Sequence, residues 1–149
     1  LPGAGAAGGT AACATALLGA RIVAGVDVVL DLVGFADAIH GARLVVTGEG
    51  SLDAQSLAGK APVGVARAAR GKGVPVLFLA GRVELDEAGV AVLTGLGSVG
   101  IRALTELEPE PSVAQKRAGE LLRTLAADAL EPLLADICDV RPDLVRSTP

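Results

Sequence analysis

The sequence predicts an α/β protein built from parallel βαβ units with flanking helices. Three observations carry that expectation. Short Val/Leu runs alternate with longer Ala-rich amphipathic runs, the pattern of buried strands covered by helices. Hydrophobic residues make up 51% of the 149 residues and aromatics only 1%, so the core must be built from Leu, Val, Ile and Ala. A polar, glycine-rich stretch, Thr47 to Pro62, stands between an apolar run and an amphipathic run, where α/β proteins place ligands.

The elements follow in order. Leu1 to Gly9 is a glycine-rich loop, and Thr10 to Leu18 an Ala-rich helix closed by Gly19. Ile22, Val26, Val29, Leu30 and Val33 recur at spacings of three and four, which predicts a helix ending at Gly34; Asp37 to His40 reads as a further short turn. Arg43 to Thr47 is a short buried strand and Gly48 to Gly59 a polar loop. Pro62 suits the first turn of a helix running to Ala69, where its missing N–H costs little. Val74 to Ala80 is the strongest strand, with Pro75 near its start. Gly81 to Gly97 reads as loop with a short helix around Asp86 to Leu93, and Val99 to Leu104 as a third strand. Glu106 to Pro111 is an acidic linker. Ser112 and Gln115 form a capping-box pattern opening a helix with Ala118, Leu121, Leu122, Leu125 and Ala129 on one face. Pro132 is expected to kink or end it. Residues 1–138 read as one α/β domain or part of one, and 139–149 as a tail. Short connections between apolar strands imply right-handed parallel crossovers.

The bulk properties exclude several classes. A net charge of -4, no basic patch and few stacking residues speak against nucleic-acid binding. No apolar run approaches the ~20 residues of a membrane span. Cys13 and Cys138 lie far apart without metal-ligand spacing and read as reduced thiols of a cytoplasmic protein; a lone disulfide is the alternative. Residues 1–20 lack the basic start of a signal peptide, and the chain begins at Leu1 in a Gly/Ala run, which suggests a fragment or processed product.

Two glycine-rich stretches carry the chemistry. Gly3, Gly5 and Gly8 match G-x-G-x-x-G, but a dinucleotide site needs a preceding strand and a later acidic residue after a second strand. Only Leu1 and Pro2 precede this run, and Asp27 falls in a helical pattern. The loop could instead line an anion site through its amides, or simply feed a helix. The second stretch, Gly48-Glu49-Gly50-Ser51-Leu52-Asp53-Ala54-Gln55 to Lys60, is no Walker A loop, because Ala61 follows Lys60 and Ala54 stands where the first glycine belongs. Phosphoryl transfer needs a metal ligand, a base and a cation near the transferring group. Asp53 or Glu49 could hold Mg2+ or accept a hydroxyl proton, and Lys60 could neutralise phosphate charge. The structural alternative is an Asp that caps the next helix beside an exposed Lys. His40, the sole histidine, reads as an exposed or capping residue. Ser51 and Ser56 lack the G-x-S-x-G setting of a hydrolase. Arg82 and Glu84 follow the second strand and could reach the same cleft or form a plain ion pair.

The run Pro2 to Gly9, together with Val46 to Ala66, resembles bacterial glycerate kinases of the glycerate 2-kinase type. Gly25 to Phe35, Val74-Pro75-Val76 and Ala80-Gly81 also fit, and the resemblance reaches about residue 130. It implies ATP- and Mg2+-dependent phosphorylation of D-glycerate in the cytoplasm, by a larger two-domain α/β enzyme with its site in the cleft between domains. Carried onto this chain, the site comprises Gly48, Glu49, Gly50, Ser51, Asp53, Gln55 and Lys60, with Gly3, Gly5 and Gly8 as a second backbone cradle. Asp53 is assigned metal or base work and Lys60 phosphate charge. Family members often carry Arg after Gly-Glu-Gly, where Ser51 stands here, and Arg82 occupies a position usually small or polar. Members are more than twice as long, so the resemblance also implies an amino-terminal portion that completes the cleft, and little activity without it; a homodimer is a further possible partner state. The rival readings are a Rossmann-type oxidoreductase using the amino-terminal glycines and a non-catalytic module interacting through the carboxyl-terminal helix.

Overall fold

The computed structural model describes residues 3–140, with side chains through Ala135. Its centre is a three-stranded parallel sheet: β1 (Val45–Thr47), β3 (Val76–Ala80) and β5 (Ser98–Ala103), in the order β1-β3-β5. Val45 pairs with Val76 and Thr47 with Phe78; Leu77 to Ala80 pair with Gly100 to Ala103. Every residue of β3 is buried, which is why Val76-Leu77-Phe78-Leu79-Ala80 shows no alternation. Val74 and Pro75 lie just before it, so the lost N–H of Pro75 takes no ladder bond within β3.

The connections are helical, as the sequence predicts. Between β1 and β3 come β2 (Ser51–Leu52), α4 (Ala54–Leu57) and α5 (Ala61–Gly71); between β3 and β5 come β4 (Arg82–Val83) and α6 (Glu87–Gly95). One face of the sheet packs Val45, Val76 and Phe78 against Val63, Ala66 and Ala69 of α5 and Leu93 of α6. The other packs Leu77 and Leu79 against Ala114 of α7 (Pro111–Lys116) and Leu121, Leu125 and Ala129 of α8 (Ala118–Val140). The result is three layers, helix on sheet on helix.

Three helices precede the sheet: α1 (Thr10–Leu18), α2 (Gly25–Leu32) and α3 (Phe35–Ala38). None contains a buried residue. Leu17, Leu18 and Leu32 are each 81% exposed, so this segment leaves much apolar surface uncovered. The helix expected from Ile22 starts only at Gly25, and the turn expected at Asp37 starts at Phe35.

The structure corrects several expectations in detail. The stretch read as a polar loop, Gly48 to Gly59, contains a two-residue strand and a helical turn. The helix at Ser112 begins at Pro111 and is capped by Glu110, whose carboxylate accepts the Ser112 N–H at 3.3 Å. An acidic cap followed by Pro at the first helical position displaces the Ser/Gln pattern. Pro132 does not end α8, which runs on to Val140. Pro132 is exposed, where water can serve the carbonyl that its missing N–H leaves free. Residues 139 and 140 thus belong to a helix, while the rest of the expected tail, residues 141–149, and Leu1 and Pro2 of the first loop lie outside the described residues. Cys13 is exposed and free; the Cys138 side chain is outside those described. Among the described residues no helix is long and apolar enough to cross a membrane.

Candidate active site

All three central strands end on the same side, and the loops that leave those ends build a cavity of about 1060 Å3. Thr47 to Ser51 line it after β1, Leu79 to Arg82 after β3, and Leu104 and Thr105 after β5. The roof is Pro111, Ala114 and Gln115 of α7 with Ala118, Leu122 and Ala126 of α8. A crevice at the carboxyl ends of parallel strands is the general binding position of open α/β sheets.

Close backbone approach shapes the floor. A Cβ on Gly48 would sit 1.7 Å from the Leu79 carbonyl oxygen, and one on Gly81 would sit 2.4 Å from the Gly50 carbonyl oxygen. Only glycine lets the two loops touch. They are then clipped together: the Gly81 N–H donates to Glu49 O at 3.0 Å, the Arg82 N–H to Gly50 O at 3.1 Å, and the Glu84 N–H to Leu52 O at 2.8 Å. These bonds extend into the parallel pair β2–β4, in which Ser51 stands beside Arg82 and Leu52 beside Val83.

Among the described residues the cavity is lined by one carboxylate, Glu49. Its Oε1 is buried and has no hydrogen-bond partner among the described residues. A buried acceptor left unpaired is costly, and where it faces a cavity it is a place for a ligand's donor or cation.

Asp53 and Lys60 sit elsewhere. Neither lines the cavity. Asp53 is the N-cap of α4: its Oδ1 accepts the N–H groups of Gln55 at 2.8 Å and Ser56 at 3.1 Å. Those bonds, the one from Ser56 foremost, hold the Asp53 carboxyl below the usual carboxylate range against a smaller opposing effect of desolvation, and the Lys60 charge adds to the lowering. Lys60 caps α5 by backbone position, with its Nζ 3.8 Å from Asp53 Oδ1. Gln55 is exposed and outside the cavity lining.

The amino-terminal glycines do not line the cavity either. Gly3, with φ +80°, begins a turn, and Gly5 and Gly8 lie in or beside the 3-10 turn Ala6–Gly9 that feeds α1. Among the described residues no strand precedes them, so the setting a dinucleotide fingerprint requires is missing. Of the residues assigned by sequence, the structure therefore brings Gly48, Glu49, Gly50 and Ser51 together. Thr47, Thr105 and Gln115, which the sequence reading had not assigned to the site, join them, as does Arg82, for which that reading left cleft and plain ion pair open; Glu84 does not line the cavity. Position after a strand, which flagged Arg82, could also have flagged Thr105; nothing in the pattern of α7 marks Gln115.

A family model described as the glycerate kinase family matches residues 1–133. The chain belongs to the glycerate kinase family. The similarity extends to individual members. Glycerate 2-kinase of Escherichia coli is 42% identical over 99 residues, which cover 66% of this chain and 26% of that protein. Glycerate kinase of Bacillus cereus is 36% identical over 132 residues, 85% of this chain and 34% of that protein. An uncharacterised protein of Mycobacterium tuberculosis is 40% identical over 148 residues, 99% of this chain and 35% of that protein. The chain thus spans about a quarter to a third of these relatives, and it aligns to their carboxyl-terminal side. As a glycerate kinase family chain it carries the α/β architecture and the Gly-Glu-Gly loop on which the sequence resemblance rested.

Proposed function

We propose that this chain forms one wall of an ATP-dependent kinase that phosphorylates D-glycerate. The observation that carries the reading is Glu49, which lines a cavity at the carboxyl ends of the sheet and whose buried Oε1 has no hydrogen-bond partner among the described residues, in a chain of the glycerate kinase family. In the reaction a glycerate hydroxyl oxygen bonds to the γ-phosphorus as the bond from that phosphorus to the β–γ bridging oxygen breaks. ADP leaves with the bridging oxygen, and the hydroxyl proton passes to a base. Glu49 would take that proton or orient the hydroxyl.

The same carboxylate fits Mg2+. This ion is commonly held by one or two carboxylates, waters and substrate phosphates rather than by a protein cage. Among the described residues no cluster of three His, Cys, Asp or Glu could hold a metal, so Glu49 would be the protein's contribution in the cavity. Bound there, the ion would neutralise charge on the phosphates. Asp53 and Lys60 remain candidates for metal and phosphate contact only if the α4 cap opens; as folded, they order the loop that presents Glu49 and Ser51.

The rest of the cleft would come from the remainder of a family-length protein, with a cytoplasmic place and little turnover by this chain alone. The uncovered apolar residues Leu17, Leu18, Val29 and Leu32 and the half-exposed Val46 of the sheet's edge strand support a partner surface. The test is reconstitution. This chain is mixed with the amino-terminal portion of the Mycobacterium tuberculosis relative, and ADP release with D-glycerate is followed, phosphorus NMR fixing the phosphorylated position. Glycerate-dependent ADP release by the mixture is expected. A stable heterocomplex that releases none would overturn the reading, and sedimentation of the chain by itself separates a heterocomplex from a homodimer.

A further inference from the structure

Among the described residues, Arg82 is the only cationic side chain lining the cavity, as Glu49 is the only anionic one. Its place is fixed from two directions. The backbone is clipped to the neighbouring loop by its N–H to Gly50 O at 3.1 Å. The side chain is gripped at its inner nitrogen: Nε donates to Ser51 Oγ at 3.0 Å and lies 3.3 Å from Glu84 Oε1. Both contacts are made through Nε rather than through the terminal nitrogens Nη1 and Nη2. A guanidinium binds carboxylate or phosphate through a planar fork of paired N–H groups, and a fork already oriented loses less freedom on binding. A surface ion pair with Glu84 accounts for neither the Ser51 bond nor the position at the cavity lip. Two charged groups on an otherwise largely apolar lining suit a small ligand with an oxyanion at one end and a hydroxyl or metal-bound group at the other.

We infer that Arg82, oriented by Ser51, is the oxyanion anchor of this cavity. Arg82 contacts the ligand; Ser51 is a positioning residue acting through it. The anion is the carboxylate of a small hydroxy acid or a phosphate of a nucleotide. That choice of guests rests on the kinase reading above, whereas the anchoring itself does not.

The experiment is an NMR titration of the full chain, with D-glycerate and, separately, with inorganic tripolyphosphate. The Arg82 Nε–H resonance and the amides of Gly48 to Ser51 and Gly81 to Val83 are expected to shift saturably with at least one of them, and the one that acts identifies the source of the anion. Arg82→Gln should weaken that binding about tenfold or more, the usual scale for a charge-assisted bond. Arg82→Lys keeps the charge and loses the fork, so it should bind more weakly than the parent. Arg82→Ser alone should lose binding, and adding Ser51→Arg should restore it to within about threefold of the parent, because the β2–β4 register sets the two positions side by side. No saturable shift with either anion, or equal binding by the parent and Arg82→Gln, would overturn the inference. In the reconstituted enzyme the same variant should raise the KM of the substrate that carries the anion. Anion binding without glycerate phosphorylation would defeat the kinase reading and leave the anchor standing. Phosphorylation with unaltered KM in Arg82→Gln would do the reverse.

Discussion

Asp53 and Ser56 hold each other by reciprocal bonds. The Ser56 N–H donates to Asp53 Oδ1 at 3.1 Å, and the Asp53 N–H donates to Ser56 Oγ at 3.1 Å. Ser56 is wholly buried, and its hydroxyl also lies 3.3 Å from the Ser51 carbonyl oxygen. The capping box of α4 is therefore tied to the residue that grips Arg82.

A pH dependence follows from this box. The Asp53 carboxyl is held below its unfolded value by the backbone N–H groups of Ser56 and Gln55 and by Lys60. A depressed carboxyl contributes stability that is complete above the unfolded value, about pH 4, and is lost as pH falls through the folded one. The urea midpoint of the parent should fall faster below pH 4 than that of Asp53→Asn, so their difference should shrink on acidification. A difference constant from pH 7 to pH 2 would show that the charge of Asp53 contributes nothing.

Gly48 tests the geometry of the cavity floor. Any Cβ there meets the Leu79 carbonyl oxygen at 1.7 Å, and that oxygen belongs to the buried central strand. Gly48→Ala should destabilise the chain by about 3 kcal/mol, the upper range for overpacking a rigid site. Gly50→Ala, where a Cβ meets nothing within 4 Å, is the control and should cost little. Urea unfolding of the two variants reads the contrast.

The fold class was legible because its signal is compositional. Val74 to Ala80 could be little else than a buried strand, and α5 announced itself by Pro62 and its period. The two-residue strands β2 and β4 were not legible: Ser51-Leu52 and Arg82-Val83 have no period, and their pairing is decided by glycines that let the loops meet. The candidate site was half legible. Glycine and carboxylate after a strand marked Gly48 to Ser51, but the same polarity marked Asp53, whose carboxylate caps α4, and Lys60, whose ammonium pairs with Asp53. Capping and catalysis use the same residue types, so sequence alone could not separate them. The α8 roof carried no mark, because Ala118, Leu122 and Ala126 read as the covering face of any helix.

Glu49 makes a further prediction. Its buried Oε1 lacks a hydrogen-bond partner among the described residues, an unsatisfied acceptor that a ligand's donor would satisfy. Glu49→Gln should leave thermal stability unchanged or raise it, while abolishing glycerate-dependent ADP release in the reconstituted enzyme. Thermal unfolding and the release assay check the two halves. A variant that loses stability instead would show that the carboxylate is structural.

The docking of α2 onto α5 includes one especially close approach, and a double-mutant cycle can isolate it. A Cβ on Gly64 of α5 would lie 2.4 Å from Val26 Cγ2 of α2, a branched carbon that cannot swing aside without moving its helix. Arg67 and Asp27, with 3.9 Å between Nη1 and Oδ1, are the only ion pair across this contact among the described residues, and both are more than half exposed, so charge holds α2 weakly. In the parent, Gly64→Ala should destabilise by about 1–3 kcal/mol through overpacking. Where Val26 is already Ala, the clash is gone and only the gain in helix propensity remains, about 1 kcal/mol in the opposite direction. The sign of the Gly64→Ala effect should therefore reverse between the two backgrounds, giving a coupling on the order of 2–4 kcal/mol in urea unfolding. Equal effects in both backgrounds would mean that α2 does not dock on α5 in solution.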